Sequence, residues 1–178
     1  MQTKMAIDVR HPDLIHFING SNSLVPLAIF DLDNTISITA HRDHHIKKTR
    51  RTSADWDAFY AACEGDAPNI PVVLTLNHLR CSGWDIKIFS GRRMDVHAET
   101  IRWLNRYTVL TPDYLEENLL MRPIGDNTED TLMKTQWYNA LSDHDKDRLI
   151  CVYDDRDRVV DMWRRLGLTC FQVQPGDF

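Results

Sequence analysis

The chain has 178 residues, of which 43% are hydrophobic and 26% charged, and its formal net charge is −5. That length fits one domain with a real core, the mixture is that of an ordinary globular protein, and no apolar run approaches the ~18 residues of a membrane span. A net negative chain also does not suit a protein that coats nucleic acid non-specifically.

Residues 1–24 read as a short leader, with one helical turn around PDLIHFIN closed by Gly20. Its start, MQTKMAIDVRHPDL, has no apolar signal-peptide core, which predicts a cytoplasmic chain. The first strand is VPLAIFD, inside the stretch LAIFDLDNTI. There an apolar run leads into Asp31, and Asp33 follows at strand spacing, so both carboxylates point to one side. Two like charges held close shift each other's pKa unless a cation lies between them.

Residues 36–70 are polar and irregular, too long for an ordinary strand-to-helix loop, and read as a small cap insertion over a site. Within them HRDHHIKKTRR gathers Arg42, Lys47, Lys48, Arg50 and Arg51 against the single acid Asp43, a patch suited to a local anionic group or simply a solvated loop. His41, His44 and His45 do not have the spacing of a zinc site. Trp56, Phe59 and Tyr60 either stack on a base or pack the cap onto the core.

Helical patterns and strands then alternate. PVVLTLNHLRCSG has Pro71 in its first turn and Gly83 at its stop. DIKIFS is a strand, and DVHAETIRWLNRY a helix opening on Asp95 as N-cap. ENLLMRP is a strand, EDTLMKTQWYNALSDH a helix, RLICVYD a strand, DRVVDMWRRLGL a helix ending at Gly167, and LTCFQVQ the last strand. Trp103, Trp137 and Trp163 lie on amphipathic helices and read as core or half-buried. No CxxC pair occurs, and Cys151 and Cys170 read as buried thiols. The alternation predicts one domain over 1–178 with a doubly wound, Rossmann-like α/β fold. Its parallel sheet has about five strands, with helices on both faces.

Ligands of such sheets bind beyond the carboxyl ends of the strands. Those ends carry Asp31 and Asp33, the tripeptide Ser90-Gly91-Arg92, a helix bearing Lys134, and Asp154 with Asp155. Taken alone, the acids also fit solvated strand ends or helix caps, Lys134 a surface lysine, and Asp130 the cap of its helix.

Together the motifs DLDNT, SGR, Lys134 and YDDRD resemble the four motifs of the haloacid dehalogenase superfamily of phosphohydrolases. A closer likeness is to the 3′-phosphatase domain of bacteriophage polynucleotide kinase/phosphatase. It rests on Arg42, on Asp130 and on the tail DDRDRVVDMWRRLGLTCFQVQPGDF, and covers roughly residues 25 to 178, poorly across 43–70. No G-x-x-x-x-G-K-[ST] loop occurs, so no kinase half is expected in this chain. The family usually has Gly where this chain has Asn34, a residue that tolerates positive φ.

The resemblance implies a Mg²⁺-dependent phosphomonoesterase working through an aspartyl-phosphate. Asp31 would be nucleophile and metal ligand, Asp33 general acid and base with its backbone carbonyl toward the metal, and Asp155 a metal ligand. Asp154 would act from behind the metal shell, and Lys134 would neutralise charge. Thr35, Arg42, Ser90, Gly91, Arg92 and Asp130 would bind the substrate phosphate. The implied substrate is a nucleic-acid 3′-phosphate end or a nucleotide. The alternatives are a 5′-nucleotidase and, outside enzymes, a nucleotide- or protein-binding module. Localisation would be the cytoplasm, the host's if the chain is phage-encoded, with no membrane partner and the oligomeric state left open.

Overall fold

The computed structural model describes residues 25–176; the expected leader over 1–24 lies outside them. Five strands form one all-parallel sheet: β1 (Leu27–Phe30), β4 (Asp85–Arg93), β5 (Leu119–Arg122), β6 (Leu149–Arg156) and β7 (Cys170–Gly176). Their order is β5-β4-β1-β6-β7. The chain builds outward from β1 on one side, then crosses to the other, which puts the switch of direction at the exit of β1. β1 is buried on both faces, as a central parallel strand must be. Ala28 and Phe30 face one core, and Ile29 faces the other.

Helices α2 (Ile70–Cys81), α3 (His97–Tyr107) and α4 (Pro112–Asn118) cover the first face. Val72, Val73, Leu76, Ile101, Trp103, Leu104 and Leu115 supply its core. Helices α5 (Asp130–Ala140) and α7 (Asp157–Arg165) cover the second, where Val159, Val160 and Trp163 pack on Phe89 and Val152. Burying each such side chain is worth about 2 kcal/mol. This is the doubly wound α/β architecture expected from the alternation of strands and helices. Among the described residues, no helix is long and apolar enough to cross a membrane. Cys63, Cys151 and Cys170 are free and buried, and Cys81 is exposed.

Three local expectations change. The run EDTLMKTQWYNALSDH holds two helices, because Leu141 is extended and Ser142 caps a second one, α6 (Asp143–Asp147), through Asp145 N. Asp95 does not cap α3. The cap position is Val96, with no side-chain bond, while the Asp95 carboxylate takes Arg93. Asp130 is not the cap of α5 either; that position is Glu129, also without a side-chain bond.

Residues 36–70 are more ordered than their polar composition suggests. β2 (Ser37–Ile38) pairs antiparallel with β3 (Ala67–Pro68) at the base of the segment. Between them α1 (Ser53–Ala61) starts on a capping box formed by Thr52 and Asp55. Phe59 and Tyr60 of α1 are buried in the same core as α3, and Trp56 stacks on Tyr60 with centroids 5.9 Å apart.

Candidate active site

The register of the sheet assembles the site. Phe30 of β1 pairs with Ile88 on one side and Tyr153 on the other. Asp31 therefore leaves the sheet level with Asp154, and its N–H donates to Tyr153 O at 2.8 Å. Ser90 follows two residues after Ile88 and is fully buried. The turn after β1 is carried by Asn34, whose φ of 64° lies in the left-handed region that the motif's usual glycine would favour. Asn34 Oδ1 accepts from the Thr39 hydroxyl at 2.9 Å, which holds the turn.

Two buried charge sets lie side by side. In the first, Lys134 Nζ donates to Asp31 Oδ1 at 2.6 Å and to Asp154 Oδ2 at 2.8 Å. Asp154 is fully engaged: Trp163 Nε1 also reaches Oδ2, and the backbone N–H groups of Asp155 and Arg156 reach Oδ1. Asp155 accepts from the Thr35 hydroxyl at 3.3 Å on Oδ1, while its buried Oδ2 has no partner. Oxygens of Asp31, Asp154 and Asp155 lie within 4.8 Å of one another, a spacing at which one ion can be held.

Burial pushes the Asp31 carboxyl well above the usual carboxylate range, against the pull of Lys134. Burial and the neighbouring Asp154 push Asp155 up to about 7. Burial also works against charge on Lys134, but Asp154 and Asp31 hold it above the ordinary lysine range. When fully ionised, the three carboxylates exceed the one ammonium by two negative charges, and the raised pKa values of Asp31 and Asp155 are the sign of burial and of that excess. An orphaned carboxylate oxygen and an all-oxygen donor set complete the fit to a hard divalent cation.

The second set is Asp33, Asp66, Arg42 and Arg92. Arg42 gives Nε and Nη2 to Asp66 at 2.7 and 2.8 Å, and Nη2 also to Asp33 Oδ1 at 2.7 Å. Arg92 gives Nε to Asp33 Oδ1 at 2.7 Å and Nη2 to Asp66 Oδ2 at 2.5 Å. Both arginine side chains and Asp66 are fully buried, while the Asp33 side chain is 24% exposed. Burial raises the Asp33 pKa, but Arg92 and Arg42 outweigh it and hold the carboxyl below its ordinary value. This set is electrically balanced.

The expected phosphate site is therefore brought together only in part. Thr35 and Ser90 line the strand ends, and Ser90 Oγ accepts from Arg92 N at 3.2 Å, leaving its proton to donate. Arg42 and Arg92 do not present open forks: Arg42 is taken up by Asp33, Asp66 and the Phe59 carbonyl, and Arg92 by Asp33, Asp66 and Ser37, which leaves only the buried Arg92 Nη1 without a partner. Asp130 accepts from Arg122 and Arg156. It lies so close to Gly91 that a Cβ there would sit 3.3 Å from Asp130 Oδ1. The Asp33 carboxylate stands apart from the acidic cluster.

Asp66, Arg122 and Arg156 were not singled out from sequence. Arg122 and Arg156 stand at strand ends, which is a usable signal; nothing around Asp66 in EGDAP marks it. Lys47 and Lys48 pair with Asp43 and Asp55 at 2.9 and 2.5 Å. His41 turns to Asp66 rather than to a shared metal position. Tyr60 packs inward, its hydroxyl 3.4 Å from Gly91 O.

Residues 26–178 match the family described as the polynucleotide kinase PNKP phosphatase domain. The chain is 30% identical over 145 residues to the "Putative bifunctional polynucleotide kinase/RNA ligase" of Autographa californica nuclear polyhedrosis virus; the match covers 80% of this chain and 18% of that protein. A chain of the Pnkp1/Rnl/Hen1 RNA repair complex superposes with a TM-score of 0.71 at 31% identity, over 88% of this chain and 45% of the other. The Class C acid phosphatase of Bacillus anthracis shares the fold, with a TM-score of 0.61 at 16% identity over 93% and 72% of the two chains. The chain thus spans less than half the length of the first two.

Proposed function

The chain belongs to the family of polynucleotide kinase PNKP phosphatase domains and is a phosphatase of the haloacid dehalogenase superfamily, and we propose that it hydrolyses 3′-phosphate ends of nucleic acid with Mg²⁺, through an aspartyl-phosphate. The observation that carries this reading is the arrangement of Asp31. It stands at the exit of the central strand, shares Lys134 with Asp154, and lies beside the unpartnered oxygen of Asp155.

Asp31, Asp155 and the Asp33 backbone carbonyl would hold Mg²⁺, which supplies positive charge to the nucleophile and the phosphoryl oxygens when bound. Asp31 attacks phosphorus, and the bond from phosphorus to the leaving oxygen breaks as Asp33, ionised in the resting site, passes to that oxygen a proton it takes up from the incoming phosphate monoanion. Asp33 then takes a proton from water, which attacks the phosphoryl group, frees phosphate and regenerates Asp31. Lys134 keeps Asp31 oriented and offsets charge as the transition state forms; preorganised donors of this kind are worth ~3–4 kcal/mol. Asp154 acts behind them by fixing Lys134. Ser90 and Thr35 donate toward the phosphoryl oxygens, and Asp130 steadies the Gly91 turn.

The pairing of Lys47 and Lys48 with acids reduces the pull of the basic segment on a long polyanion, and so favours a second reading, a 5′-nucleotidase. A phosphate-release panel decides between them, comparing 3′-phosphorylated oligonucleotides with 3′- and 5′-mononucleotides, each in Mg²⁺ and in EDTA. The leading reading expects 3′-phosphate ends to be used best and EDTA to abolish release. Preference for free 5′-mononucleotides, or full activity in chelator, would overturn it.

A further inference from the structure

We propose that Asp66 is a positioning residue for proton delivery to the leaving group: by engaging Arg42 and Arg92 together, it confines both guanidinium groups to one oxygen of Asp33 and leaves the other facing the substrate. The inference rests on the reading of Asp33 as the general acid. Its basis is the pattern of bonds. Those reaching the Asp33 carboxylate from Arg42, Arg92 and Ser37 all end on Oδ1. The two arginines come from different parts of the chain, Arg42 from the segment after β2 and Arg92 from the end of β4. Asp66 joins them, taking Arg42 on both oxygens and Arg92 on Oδ2.

The backbone of Asp66 is fixed from two directions, and its partner Arg42 from a third. It adjoins β3, so the β2–β3 ladder sets its backbone. Trp103 Nε1 in α3 donates to its carbonyl at 2.8 Å. The Arg42 guanidinium is also seated 4.0 Å over the Phe59 ring, with Nη1 on the Phe59 carbonyl. A carboxylate at 66 offers only acceptors to these forks, and its charge balances one of the two cations. An amide there would turn an N–H toward an arginine N–H and leave Asp33 as the sole anion for both guanidinium groups. They would then close on both Asp33 oxygens.

In the step concerned, the bond from Asp31 oxygen to phosphorus forms, the bond from phosphorus to the leaving oxygen breaks, and the Asp33 proton passes to that oxygen. An alkoxide leaving group needs the proton, and p-nitrophenolate does not. The test is kcat/KM, which reports events through departure of the leaving group, measured with a 3′-phosphorylated deoxydinucleotide and with p-nitrophenyl phosphate. Asp66→Asn should lower the value for the dinucleotide by about 10–100-fold and for the aryl ester by under about 3-fold, a partial loss of the ~10²–10⁴-fold that general-acid catalysis contributes.

Equal loss on both substrates, or no loss on either, overturns the proposal. Should Asp66→Asn fail to fold, Asp66→Glu decides. It keeps the charge but shifts the carboxylate by one methylene from the two guanidinium groups, so it should give the same selective loss, and an equal loss again overturns the idea. Asp33→Asn is the benchmark. If it is itself unselective, the acid role of Asp33 fails and takes the proposal with it. If Asp33→Asn is selective and Asp66→Asn is not, only the role of Asp66 fails.

Discussion

Asp31 and Asp33 are two residues apart, and the structure gives their carboxylates opposite surroundings. Asp33 faces two arginines and is held ionised, while Asp31 shares one lysine with a second acid. Asp31→Asn keeps the shape and leaves Lys134 its bond to Asp154. Its melting temperature should therefore stay close to wild type while phosphate release disappears; release at a near wild-type rate would exclude the covalent route. Asp155 adds a pH dependence. Its ordinary value is 3.8, and in the folded, metal-free protein it rises to about 7. The folded state therefore binds this proton more tightly than the unfolded one. The resulting stability is full below about pH 4 and is lost as the pH climbs to about 7. Mg²⁺ competes with the same proton, so its gain in melting temperature should be larger at about pH 8 than at about pH 6. Asp155→Asn should abolish both effects, as thermal melts in EDTA and in Mg²⁺ would show.

At the level of elements, the exit of β1 rests on a positive φ that alanine adopts at a cost of about 1–2 kcal/mol. Asn34→Ala loses that tolerance together with the Thr39 bonds, whereas Asn34→Gly loses only the bonds. Urea unfolding should find the alanine variant less stable than the glycine variant by about 1–2 kcal/mol; equal stability would mean the turn is not conformationally demanding. Strand and helix positions were legible because periodicity is a local property. Helix starts were less so. Asp95 and Asp130 are both good capping residues by type, but Arg93 claims one and Arg122 with Arg156 the other, and a cap competes poorly with a charged partner.

For the molecule as a whole, the question is whether residues 47–51 extend the site toward a longer substrate. Lys47 and Lys48 have acidic partners, but they are exposed pairs of little strength that a phosphate could replace. If the substrate is a polynucleotide end, apparent affinity for a ten-mer should fall with salt by a log–log slope of ~0.7 per phosphate contact. Neutralising Lys47, Lys48, Arg50 and Arg51 together should flatten that slope and spare mononucleotides. Michaelis constants for a mononucleotide and a ten-mer at two salt concentrations test this. Equal salt sensitivity, unchanged by the substitutions, would leave the nucleotidase reading.

The sequence by itself determined which residue types stand at the strand ends. Short apolar runs, followed by Asp31, Ser90 and Asp154, need only local rules to be placed at one edge of a parallel sheet. It also marked Asn34 as the point of a left-handed turn. What it left undecided is who pairs with whom. Arg42 and Arg92 read as phosphate forks because a guanidinium carries no sign of its partner, and Asp66 carried no motif at all. Only when the β2–β3 ladder closes the segment over 36–70 does Asp66 come between the two arginines. That closure makes one buried charge set neutral and leaves the other, around Asp31 and Asp155, short of a divalent cation. Electrostatic balance is a sum over groups close in space, so the tertiary structure alone decided it.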